Sequence, residues 1–524
     1  MDAQPGLLTR NRHAVVLALM AFALSFGYFA LDGNVGINPS DEGYLWYGTK
    51  AVREGQVPIR DFQAYDPGRY VWTAAWSHVF GTGLVGTRES AVLFQCFAIL
   101  AGLLAARRLT ADWKFLTLTA LTLVQWMLPR YKVFDQSIAL MAIYAAVLLI
   151  ERPTVRRHFA VGVFGGLAAF MGRNHGLYHL CAFGLVILLV WRGAGVAELA
   201  RLGGAWLGGI VIGYLPQLAL FVFAPGYWKA FLALLDRNVT IGSNVAIAVP
   251  WPWERPEAWG GFYALYWWMQ GLFFVAVPAF LAFAAIRILW MKRDDIGRHA
   301  VFVAAACVTL PYAHHTFSRA DWEHLTHSAV PMVVGSLAAL WLAPTAWRKP
   351  WWPSAGAGAL FVATALTMVS HMGMFARLAA PDFRTRPTEA FVERKVCGET
   401  MHVTGDSARL LDVADRLTAQ LAKPDEGVMF LPHWPGLYAA TNRRSPVKHL
   451  YFTRPTPGLD EATLAQMEAG NVRWVLLQDY ALDGRDDLRF KNTNPGIFAH
   501  LREHFTLVAL PELPRDTVLL RRRN

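Results

Sequence analysis

Runs of about twenty apolar residues recur through the first 380 positions, separated by short polar links. A chain written this way has few folds open to it. About 20 predominantly apolar residues make a helix long enough to cross ~30 Å of hydrocarbon, and in lipid the backbone must satisfy its own hydrogen bonds. The approximate cores are 14–31, 90–106, 113–129, 136–150, 159–172, 177–191, 203–224, 262–290, 299–313, 328–347 and 355–376. They predict an α-helical polytopic membrane protein with about eleven transmembrane helices, the third to sixth runs being short. Composition agrees: 55% of residues are hydrophobic and 17% charged, which excludes a disordered chain and argues against a single soluble domain. The charge is uneven. Positions 381–524 hold 39 charged residues and the first 380 hold 48, so the tail reads as a water-soluble domain. We place the division at 379/380.

Positive residues set orientation. Arg10 and Arg12, Arg107 and Arg108, Arg152, Arg156 and Arg157, Arg192 and Arg201, Lys292, Arg293 and Arg298, and Arg348 and Lys349 fall at every second connection. Placing these in the cytoplasm puts the N-terminus inside and the alternate loops and tail outside, which in a bacterial inner membrane is the periplasm. No small-residue cleavage signature follows the first run, so it reads as an anchor rather than a removed signal. The net charge of +11 then reports membrane orientation and anionic ligands rather than nucleic acid. Four cysteines make no disulfide framework; Cys96, Cys181 and Cys307 sit in apolar runs, and Cys397 stands alone.

Two outside loops are long. Positions 32–89 carry helical periodicity near 41–54 and 68–80. Positions 225–261 carry Trp228, Trp251, Trp253 and Trp259, which suit either a headgroup-layer anchor or a lipid-substrate groove. In the tail, 406–421 reads as an amphipathic helix, 427–431 and 472–478 as buried strands, 460–470 and 496–504 as helices, and 505–510 and 517–520 as further strands. Strands alternating with helices predict a small α/β domain. No Gly-rich phosphate fingerprint opens its helices, so no nucleotide site is expected there.

Polar groups near a membrane are expensive and point to function. Four clusters stand out on the outside helix ends. Asn38-Pro-Ser-Asp-Glu-Gly-Tyr44 holds the adjacent carboxylates Asp41 and Glu42, suited to a general base, a metal ligand or an acceptor-orienting group; Ser40 or Asp41 as a helix N-cap explains them equally. In Asp66-Pro-Gly-Arg69, Arg69 could reach a phosphate, although the segment is also a plain turn. Arg130, Lys132 and Asp135 lie in a short link, where snorkelling is the bland alternative. The last cluster joins Arg173-Asn-His175-Gly to the stretch 314–327, with His314, His315, Arg319, Asp321, Glu323, His324 and His327. His324 and His327 share a face if that stretch is helical. Zinc could use the pair with Asp321 or Glu323; phosphate binding by Arg319 and the histidines is favoured, because no His-Glu-x-x-His signature is present.

These residues carry a resemblance. Pro39-Ser-Asp-Glu-Gly-Tyr44, Gly55-Gln-Val-Pro-Ile-Arg-Asp-Phe62 and Asp66-Pro-Gly-Arg-Tyr70 resemble the first periplasmic loop of the GT-C membrane glycosyltransferases. The branch is that of the protein O-mannosyltransferases and the lipid A aminoarabinose transferase. Arg130 to Asp135 resembles that group's second periplasmic loop, and 322–331 its late His/Tyr-to-Pro element. The resemblance covers roughly residues 10–340. It implies a sugar donor on a polyprenyl-phosphate carrier, and a periplasmic acceptor that is a glycolipid, a polysaccharide or a protein. Asp41, at the family's catalytic acidic position, would activate the acceptor hydroxyl for transfer with inversion, and Glu42 would assist. Arg130, Lys132 and Asp135 would line the cavity, with His175 and His327 among the substrate-binding groups. Arg69, Arg173, Arg319 and His324 would neutralise the leaving phosphate. No cofactor is firmly implied; a divalent cation would be held by Asp41, Glu42, Asp321 and His324.

Two departures bear on the phosphate ligands. Asp66-Pro67-Gly68-Arg69 stands where many relatives have Lys-Pro-Pro, and Arg173-Asn174-His175-Gly176 where they have Lys-Gly. The rival readings are a transporter, flippase or polymerase of polysaccharide intermediates, and a membrane sensor with a periplasmic domain. A transporter predicts ionisable residues or broken helices at the midplane; here the polar clusters sit at helix ends on one side.

Overall fold

The computed structural model describes residues 7–191, 195–242, 245–254, 261–345, 349–371, 391–510, 512–514 and 516–523. The division drawn at 379/380, and Arg192, Trp259 and Arg348, lie outside them. The chain gathers into two compact units. One comprises Met1–Asp32, Ala91–Ala219 and Asn244–Phe383; the other comprises Gly33–Ser90, Leu220–Ser243 and Arg384–Asn524.

The first unit is helical. Among the described residues, each of the eleven apolar runs is helical over most of its length, from Leu7–Asp32 through Ala300–Ser318, Trp322–Ala339 and Trp352–His371. Among the described residues, eight helices are long and apolar enough to cross a membrane. A ninth is counted if Leu215–Phe223 and Tyr227–Ile241, bent by 118°, form one broken span. The helices Trp113–Gln125 and Val155–Met171, of 13 and 17 residues, fall below that length. The run 203–224 is interrupted at Tyr214, two residues before Pro216, which has no N–H to continue the ladder. Val133–Glu151 is buried along most of its length and packs against Ala300–Ser318 and Trp322–Ala339. These three helices carry most of this unit's polar cluster.

The second unit is built from segments far apart in sequence. Helices Asp41–Arg53 and Pro67–Phe80 start close to the predicted positions. From the tail come six strands: β1 (Phe391–Val396), β2 (Glu399–Thr404), β3 (Gly427–Leu431), β4 (Val472–Gln478), β5 (Phe505–Val508) and β6 (Thr517–Arg522). β1 and β2 form an antiparallel hairpin that sequence reading missed, turning through Cys397 and Gly398, both at positive φ. The other four make one sheet in the order β3-β4-β6-β5, with β3 parallel to β4 and the remaining pairs antiparallel. The parallel pair needs a crossover, which Pro435–Ala440 and Leu459–Ala469 supply. Val428 to Leu431 and Val475 to Leu477 are buried without alternation, as expected of strands covered on both faces. Met429, Leu431, Val475 and Leu477 join Phe452, Met467, Phe490, Ile497, Leu501 and Phe505 in the core. The amphipathic stretch at 406–421 is helical over Gly405–Arg416 and ends in a wider turn over Leu417–Leu421.

Tail and first loop are knit together within this unit. Gly36 N donates to His402 O (2.8 Å), and His402 N to Asn34 O (2.9 Å). The Glu399 carboxylate accepts from Val85 N (2.7 Å) and Gly86 N (3.1 Å), capping the helix that starts at Leu84. Helix Asp41–Arg53 crosses Pro435–Ala440 at Gly43 and Gly436, and a Cβ on Gly43 would sit 2.4 Å from Gly436 N. No residue larger than glycine fits there without backbone movement.

Candidate functional site

In the second unit the site begins at the N-terminus of helix Asp41–Arg53. Asn38 Oδ1 accepts from Ser40 N (3.0 Å) and Asp41 N (3.1 Å), while Ser40 makes no side-chain cap. Asn38 therefore does the work that sequence reading offered to Ser40 or Asp41. The Asp41 carboxylate accepts instead from the phenol of Tyr451, a residue of the tail. Tyr451 is held in place in turn. Its backbone N–H donates to Gln63 Oε1 (3.0 Å), which also accepts from Leu450 N (2.8 Å), and Gln63 N donates to Lys448 O (2.8 Å). Its ring lies 5.7 Å from that of Tyr44 and 5.1 Å from that of His433. His433 Nε2 and Tyr480 Oη are 2.8 Å apart. Burial, and then the charge of Asp41, push the Tyr451 phenol far above its ordinary value, so it stays a protonated donor. Burial, opposed by the charges of Asp41 and Asp483, drives His433 down to about 4, leaving a neutral imidazole at pH 7.

Glu42 turns the other way. Arg88 Nε donates to its Oε1 (2.7 Å) and Nη2 to its Oε2 (2.6 Å), a buried two-pronged pair. Arg88 also donates to Gly33 O (2.7 Å), Gly36 O (2.8 Å) and Val35 O (3.3 Å). Both Glu42 oxygens are thus engaged by a guanidinium that ties the loop to helix Asp41–Arg53. Sequence reading passed over Arg88, yet an arginine near the end of an apolar run is itself a signal that a buried partner waits elsewhere. Arg69, buried in the first turn of Pro67–Phe80, lies over the Tyr65 ring at 5.2 Å.

The first unit holds the other candidates. His175 Nε2 meets Asp135 Oδ1 at 2.6 Å and Nδ1 meets Tyr312 Oη at 2.9 Å, both side chains being buried. Asp135 lies on the helix rather than in the link. His324 and His327 do share a face of Trp322–Ala339, with rings 5.8 Å apart. His315 stacks on them at 5.2 and 4.3 Å, so three imidazoles lie nearly parallel. His324 Nδ1 meets Asp321 Oδ1 (2.7 Å), and Asp321 also caps the helix through His324 N (2.9 Å). Burial raises the Asp321 carboxyl, but the His324 hydrogen bond and the nearby charges of His324 and Lys132 outweigh it and hold it below the usual range. Arg173 opens helix Arg173–Trp191.

Three of the predicted substrate- or phosphate-binding cations already face carboxylates. Arg319 Nε donates to Asp321 Oδ2 (2.7 Å), Lys132 Nζ to Glu323 Oε2 (2.8 Å), and Arg130 pairs with Asp32. Tyr131 Oη shares Glu323 at 2.8 Å. Their attraction for an anion is smaller than a count of basic residues suggests. Among the described residues, no three His, Cys, Asp or Glu side chains are grouped to hold a metal. Of the suggested cation ligands, Glu42 is engaged by Arg88, and Asp321 by Arg319 and His324.

No protein-family model and no curated protein matches the chain. Solved structures do. ArnT from Cupriavidus metallidurans superposes at a TM-score of 0.51 in its apo state and 0.52 when bound to undecaprenyl phosphate. Identity is 12% in each case, and 98% of both chains is covered. The similarity is therefore one of fold, and it runs through the tail as well as the helices. The chain has the GT-C architecture of a multi-pass membrane protein with a small C-terminal sheet domain.

Proposed function

We propose that this chain is a membrane glycosyltransferase that moves a sugar from a polyprenyl-phosphate carrier to an acceptor hydroxyl. The observation that carries this reading is the placement of Asp41. Its amide is capped by Asn38 and its carboxylate accepts from the Tyr451 phenol, so the acid is oriented. The GT-C fold, shared with a protein whose structure contains undecaprenyl phosphate, supports the lipid-linked donor.

In this mechanism the acceptor oxygen attacks the anomeric carbon of the donor as its proton passes to Asp41. The bond from that carbon to the phosphate oxygen breaks, and the electron pair leaves with the polyprenyl phosphate. One C–O bond forms as one breaks, and attack opposite the leaving group inverts the centre. General-base assistance of this kind contributes about 10²–10⁴-fold. Glu42 assists indirectly, by fixing the helix that carries Asp41. The leaving phosphate needs positive charge. We assign that role to Arg173, Arg319 and His324, and to Arg69 in its own unit, with Arg130, Lys132 and Asp135 lining the cavity and His175 and His327 among the substrate-binding groups. A phosphate approaching Lys132 or Arg319 competes with Glu323 or Asp321 for it. We place the protein in a bacterial inner membrane, N-terminus in the cytoplasm and tail in the periplasm, with a glycolipid, polysaccharide or protein as acceptor.

The test is reconstitution in lipid vesicles with undecaprenyl-phosphate-linked sugars and a cell-envelope extract as acceptor. Release of undecaprenyl phosphate with labelled sugar on the acceptor is expected. Labelled lipid crossing the bilayer with its sugar–phosphate bond intact refutes transfer in favour of transport.

A further inference from the structure

We infer that Tyr451 is a positioning residue for Asp41, so that the tail takes part in the chemistry of the first loop. The inference rests on the reading of Asp41 as the base. A carboxylate at the start of a helix can swing about two side-chain torsions, and a base must hold one oxygen toward the proton it takes. The Tyr451 phenol donates to Asp41 Oδ1. It is well built for that single task. It is buried, and its proton is retained because burial and the neighbouring Asp41 both oppose ionisation. Its ring packs against those of Tyr44 and His433. Its backbone is pinned by the same Gln63 oxygen that receives Leu450 N. The helix that carries Asp41 is braced independently by the Arg88–Glu42 pair. Helix and phenol are thus fixed by separate contacts, and the hydrogen bond between them sets the carboxylate. The tail reaches Asp41 across 410 positions of sequence.

The experiment compares Tyr451→Phe with the wild type in the reconstituted transfer assay. Phenylalanine keeps the ring and its packing and deletes only the hydroxyl. A hydrogen bond to a carboxylate of this kind corresponds to about a 10- to 100-fold fall in kcat. The KM for the lipid donor and the thermal unfolding midpoint are expected to stay within error. The second arm places Tyr451→Phe in an Asp41→Glu background, where the longer side chain has already moved the carboxylate off the phenol. There the hydroxyl deletion is expected to cost less than about threefold, because coupled residues are not additive. Three outcomes overturn the inference: unchanged kcat in Tyr451→Phe, the same fold-loss in both backgrounds, or a Tyr451→Phe protein that no longer folds. Asp41→Asn in the same assay keeps the two claims apart. If that variant is fully active, the reading of Asp41 fails; if it is inactive while Tyr451→Phe is fully active, only the role of Tyr451 fails.

Discussion

Arg88→Met tests how the first loop is held. The substitution keeps most of the side-chain stem and removes the guanidinium. Glu42, whose side chain is 8% exposed, would lose its 2.7 and 2.6 Å contacts and, among the described residues, keep the Asn38 amide at 3.4 Å. Removing one member of a buried ion pair costs about 3–5 kcal/mol, because the remaining charge stays desolvated. Adding Glu42→Leu removes that charge. The carbonyls of Gly33, Val35 and Gly36 still lose their donor, at about 1 kcal/mol each. The double variant should therefore be more stable than Arg88→Met alone, by up to about 2 kcal/mol. Denaturant titration in detergent micelles, followed by tryptophan fluorescence, measures both. An Arg88→Met protein within 1 kcal/mol of the wild type, or a double variant less stable than the single, would refute the reasoning.

Two further outcomes are expected. Gly43→Ala places a Cβ against the Gly436 backbone and should destabilise the second unit by about 1–3 kcal/mol, read as a lower thermal midpoint; an unchanged midpoint contradicts the close approach. His433, pushed down to about 4, and His449, pushed down to about 3, are both buried as neutral rings. The unfolded chain takes up these protons near pH 6.5 and the folded chain refuses them, so stability is full above that pH and falls on acidification towards 4. His433 alone should account for about 2 kcal/mol by pH 5, a loss that His433→Gln removes; stability constant from pH 7 to 5 rules this out.

The helical unit was legible because apolar length is a strong signal, and among the described residues each run is helical over most of its length, 203–224 being broken in two. Val472–Gln478 and Gly427–Leu431 were legible for the same reason, as short apolar runs bounded by turns. The hairpin Phe391–Thr404 was not, because half of its positions are polar and its turn begins with Cys397, an unusual residue at positive φ. Asp41 was singled out by its place after the first span, beside a second carboxylate, and by the resemblance. Asn38 as the cap, Arg88 as the partner of Glu42 and Tyr451 as the partner of Asp41 were not. Asn38 competes locally with two equally good caps. Arg88 and Tyr451 lie 46 and 410 positions from their partners, distances at which periodicity and spacing carry no information. The tail's contacts with the first loop were not legible either, because composition records solubility but not contacts. The pairing of Lys132 and Arg130 with carboxylates was hidden likewise, because Glu323 and Asp32 are remote in sequence from them.

The central claim is that Asp41 takes the acceptor's proton. Asp41→Asn keeps the side chain's shape, its capped amide and an oxygen for the Tyr451 phenol, while removing the base. In vesicles supplied with undecaprenyl-phosphate-linked sugar, transfer should fall by about 10²–10⁴-fold, with membrane insertion and thermal midpoint retained. Transfer within tenfold of the wild type by the folded variant would contradict it.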